Sequence, residues 1–410
     1  MAEEVRRSAV QAPPRGTRPL NRRQLILTAG ADLFSRDGYP NVSMVDIAEA
    51  VAIGPSALYR HFRSKQELLG EVVRAAFDST RTAMAEAAGR NGVAAVREFA
   101  ATVLDHRELG VLWQREARHL PPAERERLRH ELREFAAVFT DLVRDSRAEL
   151  DSTQAELLAW AVLAALVSVS FQQVQLPRTE YDELLRTMVT DVLATRLPVL
   201  GSPAAPPTSS AAEPGEGTRR ELLLRVATRL FAEHGYQGVG IEEIGAAAGI
   251  TGPSVYHHFA SKAQLMVAVM ERGRERLHLD LRRTLSTTDE PAAALRALLR
   301  SYIDFGLAHS HVVDLLVIEV DQLPDEWRLV RQAQRDYVAE WVRLLREVHP
   351  ELAVGPARVR IQAALTVVND LARTPHLRRL PGLSDAMYAV DSAILGLHSG
   401  SRFPSDDRAC

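Results

Sequence analysis

Only two of the 50 basic residues in this chain are lysines, and each stands in the same local setting, Lys65 in FRSKQEL and Lys262 in FASKAQL. Just upstream of each runs Tyr-x-His-Phe, Tyr59 to Phe62 and Tyr256 to Phe259. A coding bias toward arginine explains the scarcity of lysine but not which two escaped it. An ammonium on a flexible stem suits a phosphate oxygen, and a tyrosine can pack its ring while its hydroxyl reaches outward. Tyr59, Lys65, Tyr256 and Lys262 are therefore candidate phosphate contacts. Phe62 and Phe259, three residues beyond the tyrosines at helical spacing, read as core.

Other chemistries find little support. No nucleophile is paired with a base, no glycine loop follows a strand to cradle phosphate, and an enzyme is not expected. The single cysteine is Cys410, so neither a disulfide nor a cysteine metal site can form within the chain. His309, Ser310, His311 and Asp314 are close in sequence, but their spacing converges poorly on one ion and reads as a helix junction. No cofactor or metal is expected. The apolar run Leu157 to Phe171 is shorter than a bilayer span and reads as a buried helix. The arginine-bearing N-terminus lacks the apolar segment of an export signal, so the expected address is cytoplasmic, with no membrane partner.

At 410 residues the chain is too long for one core. Net charge is −3, yet Arg15 to Lys65 carries eight basic residues against four acidic ones, a local +4 that leaves −7 for the remainder. Such segregation fits a basic contact surface on acidic bodies. The equivalent second stretch, Arg219 to Lys262, sets five cations against four glutamates, only +1.

A shift of 197 positions, the separation of the two lysines, aligns Arg22–Leu69 with Arg219–Met266 without a gap. Leu33, Phe34, Gly38, Tyr39, Ile47 and Ile53 recur as Leu230, Phe231, Gly235, Tyr236, Ile244 and Ile250. A weaker echo, EARHLPPAE against EVDQLPDEW, extends the duplication beyond these stretches. Between the halves, PVLGSPAAPPTSSAAEPGEG reads as a flexible linker. The expected division is a disordered basic arm (1–20), a first head (21–66) and body (67–197), the linker (198–217), a second head (218–263) and body (264–400), and a tail (401–410).

Within the first half the periodicity is helical. An apolar stripe from Leu25 to Phe34 stops at Gly38. Ser43 stands as N-cap of a short helix bearing Ile47 and Ala48, and a turn follows at Ala52–Gly54. Pro55 opens a third helix, and Ser64 caps a fourth running toward Ala88. Further amphipathic segments fall near Val93–Leu109, Glu124–Leu150, Ala155–Val174 and Glu180–Leu197. No period-2 alternation is sustained, so the expected fold is all-α.

Two short helices around a tight turn, ending in Tyr-x-His-Phe, make the stretches VDIAEAVAIGPSALYRHFRSKQELL and EEIGAAAGITGPSVYHHFASKAQLM resemble the TetR family of bacterial regulators. The resemblance covers about 48 residues in each half and occurs twice. It implies two TetR-like units, each a three-helix helix-turn-helix DNA-binding head on a helical ligand-binding and dimerisation body. A recognition helix presents its N-terminal end to the major groove, so Gly54, Pro55, Ser56 and Ala57 would face DNA in one head. Thr251, Gly252, Pro253 and Ser254 would do so in the other. The resemblance makes Tyr59, His61, Tyr256 and His258 phosphate contacts, with Lys65 and Lys262 beside them. Arg22, Ser43 and Arg219 complete the expected DNA-facing set. Arg60 and His257 occupy matching positions but differ, so the heads should read different half-sites. An arm with Arg6, Arg7, Arg15 and Arg18 could enter a minor groove, although such tails are more often disordered.

Each head departs from the family pattern somewhere. Ala52 fills a turn position usually held by Gly, which Gly249 supplies in the second head. Gly54 replaces a capping Ser or Thr, present as Thr251, and Gly240 replaces the cap that Ser43 provides. Both heads are expected to fold, the first binding DNA more strongly. In the bodies, family logic places an effector in a hollowed core, with Phe99, Trp113, Glu116, Phe135, Phe139 and Phe171 as candidate lining. The expected partners are a double-stranded DNA operator and a small apolar or amphipathic effector that releases a repressor. The units are expected to pair within one chain, Ala155–Leu197 against Pro356–Leu397; a chain homodimer is the rival. A further alternative is a sensing or protein-binding scaffold in which one head no longer binds DNA.

Overall fold

The computed structural model describes residues 21–88, 96, 99–100, 103–172, 174–201, 218–316 and 328–397. The basic arm, residues 202–217 of the linker, the tail and residues 93–95, 97–98 and 101–102 of the segment expected at Val93–Leu109 lie outside the described residues. Among the described residues there are helices and no strand.

The first head comprises α1 (Arg22–Asp37), α2 (Met44–Ala50) and α3 (Pro55–Leu58), and α4 (Lys65–Ala88) leads from it into the body. The α1 stripe buries Ile26, Leu27, Ala29 and Phe34. It stops at Gly38 because φ 82° and ψ 141° suit a residue without a side chain. Ser64 caps α4 as expected, accepting from Glu67 N at 3.0 Å.

The first body continues through a compact joint: Leu109–Val111 is helical, Leu112–Glu116 forms one π-helical turn and Ala117–His119 a 3-10 turn. Then come α5 (Pro122–Ser146), α6 (Ser152–Val167) and α7 (Arg178–Leu193). Asp151 and Gln154 form a capping box that starts α6 two to three residues before the apolar pattern suggests. With the 3-10 turn that follows, the apolar stretch Ser152–Phe171 reaches 20 residues, longer than its sequence suggested and long enough by itself to span a bilayer. Two thirds of its most apolar window is buried in the protein, so it is a core helix.

The second half repeats the plan. α8 (Arg219–Gly238) breaks at Gly235, the counterpart of Gly38, and is followed by α9 (Ile241–Ala247), α10 (Gly252–Tyr256) and α11 (Lys262–Thr287). Its body holds α12 (Pro291–Ala308), α13 (Ser310–Asp314), α14 (Arg328–Val348), α15 (Val354–Arg373) and α16 (Leu383–Ile394). The residues His309 to Asp314 form the expected helix junction, and no metal-binding group occurs among the described residues.

The two halves meet along α6 and α15, with α7 beside α16. The seam is mostly small and aliphatic side chains, such as Ala161, Leu158, Ala363 and Val367, all fully buried. A few polar contacts cross it: His376 Nε2 lies 3.0 Å from Glu156, and Gln114 Nε2 donates to Asp370 at 2.9 Å. Buried Arg360 of α15 donates to Ile394 O at 2.6 Å and lies 3.6 Å from Asp191 of α7. The position matching Arg360 in α6, counted from the helix starts, is Leu158. The first head's core, around Ile26, Phe34, Ile47 and Phe62, takes in Leu112, Ala117, Leu120 and Leu128 of the first body. The core of the second head instead runs continuously into those of both bodies.

Candidate nucleic-acid interface

The turn between α2 and α3 sets the shape of the first head. Ile53 N donates to Ala48 O at 2.9 Å, which drives the chain through Ala52 at φ 55°. That left-handed conformation costs a side-chain-bearing residue about 1–2 kcal/mol. The second head makes the same bond, Ile250 N to Gly245 O at 2.9 Å, with Gly249 at φ 70°, where glycine is unstrained. Capping shows the reverse imbalance. Ser43 and Asp46 bond reciprocally, Ser43 N to Asp46 Oδ2 at 2.7 Å and Asp46 N to Ser43 Oγ at 3.2 Å. These bonds hold the Asp46 carboxyl below its ordinary range. Gly240 gives α9 no side-chain cap.

Beyond the turn, α3 buries Leu58 and the next turn buries Phe62, each at most 1 % exposed. Pro55, Ser56, Tyr59, Arg60 and His61 consequently lie on the outer side, with Gly54 exposed and Ala57 half-buried. In the second head Val255 and Phe259 are buried, leaving Thr251, Pro253, Tyr256, His257 and His258 exposed and Ser254 half-buried. Tyr59 and Tyr256 are each 51 % exposed, so the two edges are presented alike. Arg219 is exposed and Arg22 half-buried at the starts of α1 and α8.

Gly252 departs from expectation. It is buried, and a Cβ there would meet Glu242 Cγ at 3.3 Å, so it admits α9 rather than DNA. Thr251 also behaves differently from the expected cap: its hydroxyl lies 2.8 Å from Ser254 Oγ and caps no backbone amide.

The two lysines have a structural task that their sequence setting did not disclose. Lys65 Nζ donates to Tyr39 O at 2.7 Å and Val42 O at 2.8 Å, and sits 4.2 Å from the centre of the Tyr39 ring. Lys262 repeats this with Tyr236 O and Val239 O, both at 3.0 Å, and the Tyr236 ring at 4.5 Å. Desolvation lowers both ammonium pKa values. Each lysine thus staples the start of the long helix to the loop behind the first helix. A compact ammonium can serve two converging carbonyls and a ring face, whereas a planar guanidinium spreads its donors. This gives a physical reason for lysine at just these two positions. Another matched pair escaped the sequence reading: Arg23 lies 5.2 Å from the Phe62 ring centre and Arg220 lies 4.7 Å from that of Phe259. Their shared place in the repeat was the available signal.

The candidate effector residues do not gather in one place. Phe99, Phe135 and Phe139 pack together with ring centres 5.3–5.8 Å apart. Phe171 lies half-buried on the turn after α6. Trp113 meets Phe77 edge-on at 5.5 Å beside the first head's core. Glu116, 1 % exposed, pairs with Arg115 and accepts from Tyr39 N at 2.8 Å, so it joins body to head. A groove of about 600 Å³ between α1 and α4 is lined by residues including Arg23, Glu71 and Arg74. Its charges pair with one another, Glu71 with both arginines.

Comparison with known proteins bears on this geometry. The family of bacterial regulatory proteins, tetR family, matches twice, at residues 26–72 and 223–269, and the tetracyclin repressor-like C-terminal domain matches residues 93–171. The HTH-type transcriptional activator FasR of Mycolicibacterium smegmatis is 35% identical over 193 residues, 46% of this chain and 76% of that protein. The HTH-type transcriptional regulator LmrA of Bacillus subtilis is 28% identical over 160 residues, 38% of this chain and 82% of that protein. The HTH-type transcriptional repressor KstR2 of Mycolicibacterium smegmatis is 30% identical over 133 residues, 32% of this chain and 64% of that protein. The solved structure of ketosteroid transcriptional regulator KstR2 of Mycobacterium tuberculosis aligns at a TM-score of 0.40 and 22% identity, covering 44% of this chain and 94% of that one. FasR and LmrA are each matched over most of their length by less than half of this chain, as single units would be. With two copies of the DNA-binding head and a ligand-binding C-terminal domain, the chain belongs to the TetR family of helix-turn-helix transcription regulators.

Proposed function

We propose that this regulator engages one imperfectly palindromic operator through both heads, held as a pseudo-dimer within a single chain, and that an apolar or amphipathic effector releases it. The observation carrying this reading is the pair of equally exposed edges, Tyr59–Arg60–His61 and Tyr256–His257–His258, on two halves that share one four-helix seam. Pro55 and Ser56 in one head, Pro253 and Ser254 in the other, face the major groove. Tyr59, His61, Tyr256 and His258 hold phosphates, and Lys65 and Lys262 add positive charge beside them. The heads would sit about 34–36 Å apart or at a multiple of that spacing. Arg60 against His257 gives the half-sites different preferences. The sign proposed is repression, as named for the KstR2 relatives, although FasR is named an activator. The phenylalanine cluster of the first body suits an apolar effector, which acts by preferring the state with the wrong head spacing.

Selection of bound sequences from a random DNA pool tests this, repeated with Tyr59→Ala/His61→Ala and with Tyr256→Ala/His258→Ala. The expected result is two dissimilar half-sites, one lost with each double substitution, from a particle whose light-scattering mass matches one 45.3 kDa chain. A doubled mass, or a site indifferent to both substitutions, would overturn the reading. A second reading has a specific observation behind it: Glu242 packs beside Gly252 at the start of α10, where phosphates would approach. If the second head no longer binds DNA, only the first half-site will emerge.

A further inference from the structure

The joint between the first head and its body also reaches the second head. Arg115, on the π-helical turn, donates to Ser35 O at 2.7 Å and Phe34 O at 3.3 Å, the carbonyls at the C-terminal end of α1. Glu116 beside it accepts from Tyr39 N, and His119 stacks on the Tyr39 ring with centres 5.0 Å apart. Three residues after Arg115, Arg118 lies against Gly235, the counterpart of Gly38 at the end of α8. A Cβ at Gly235 would come within 3.0 Å of the Arg118 Nε and 3.1 Å of its Cζ. Two arginines on one short segment therefore sit at the C-terminal ends of the first helices of both heads, where the helix dipole favours a cation. Gln114, on the same segment, donates to Asp370 and accepts from Arg373 at 3.0 Å, tying it to the second body as well. The segment's π-helical turn lies between a short helical turn and a 3-10 turn.

We propose that Leu112–His119 is a strut shared by the two heads, so that displacing it at either head changes the restraint on the other. Arg115 and Glu116 grip the first head, Arg118 bears on the second, and the segment is too short and too well packed for one end to move without the other. Leu112, Glu116 and Ala117 are each at most 1 % exposed. A shift in the first body then reorients both heads through one element, without a separate signal from the second body. Energetic coupling of this kind is reciprocal. The inference goes beyond the operator reading and needs no DNA to test.

Hydrogen–deuterium exchange on the full chain reads it directly. Arg118→Ala removes the contact with α8, and Gly235→Ala crowds it from the opposite side; neither residue belongs to the first head. Each substitution is expected to raise exchange about tenfold near residues 230–239 and at least threefold near residues 33–39. Glu116→Gln should loosen residues 33–39 most and carry a smaller rise to 230–239. Unchanged protection in α6 and α15 shows that the fold is retained. If a variant loses that protection, Arg118→Gln, which keeps a polar group of similar length, replaces it. Loosening confined to the head that each substitution touches would overturn the proposal.

Discussion

The two heads share a plan but differ in where each is imperfect. The first is well capped and strained at its turn; the second is relaxed at its turn and lacks a cap. The first shares a small core with the joint and α5, whereas the second merges with the main core of the bodies. Local defects of about 1 kcal/mol are tolerated in both because buried apolar contacts and the lysine staple fix the overall shape. The difference teaches that duplicated heads can lose different small contributions and keep the same geometry.

The largest expected effect would break the comparison outright. Lys65→Ala removes two charge-assisted bonds and a ring contact, and should lower the stability of the first head by about 2–4 kcal/mol in chemical denaturation. Lys262→Ala should cost the second head less, since its bonds are longer. Equal and negligible losses would remove the staple from the account. Turn strain comes next. Gly249→Ala has open space around it, so its cost is the backbone alone, about 1–2 kcal/mol, while Ala52→Gly should stabilise the first head by up to about 1 kcal/mol. Thermal melts of the two turn variants would show whether the signs oppose.

Capping should invert the order of the heads. Ser43→Ala is expected to cost about 1 kcal/mol and Gly240→Ser to return about 0.5 kcal/mol, measured the same way. Glu242→Gln should tighten DNA binding about two- to fivefold at low salt, and the gain should shrink as salt rises. No change would separate that carboxylate from the DNA path. A further effect concerns pH at the joint. Burial and the nearby Arg118, Lys65 and Arg115 push the His119 imidazole down to about 4. Its folded pKa lies below the unfolded value, so its stability contribution is present above about pH 6.5 and lost as pH falls toward 4. His119→Gln should flatten the stability–pH curve in that window; an unaltered curve would place the effect elsewhere.

Much of this was legible in the sequence. Helical periodicity and the 197-residue repeat disclosed the all-α plan and both heads, because Gly38, Ser43 and Pro55 act on their immediate neighbours. Burial of Phe62 and Phe259 followed from spacing. What escaped was tertiary. The lysine carbonyl partners lie 23 and 26 residues upstream, and no local pattern pairs them. The family resemblance places Glu116 in the effector core, yet its partners are Arg115 and a backbone amide 77 residues away. Gly252 looked accessible at a helix start until α9 closed over it.

Arg360 gives the seam a polarity. Two copies of the second half, set face to face, would bury two guanidinium groups without Asp191. Two copies of the first half would leave both Asp191 carboxylates opposite Leu158. Only the unlike combination brings Arg360 to Asp191, so fragments made by cutting the linker are expected to associate with each other rather than with themselves.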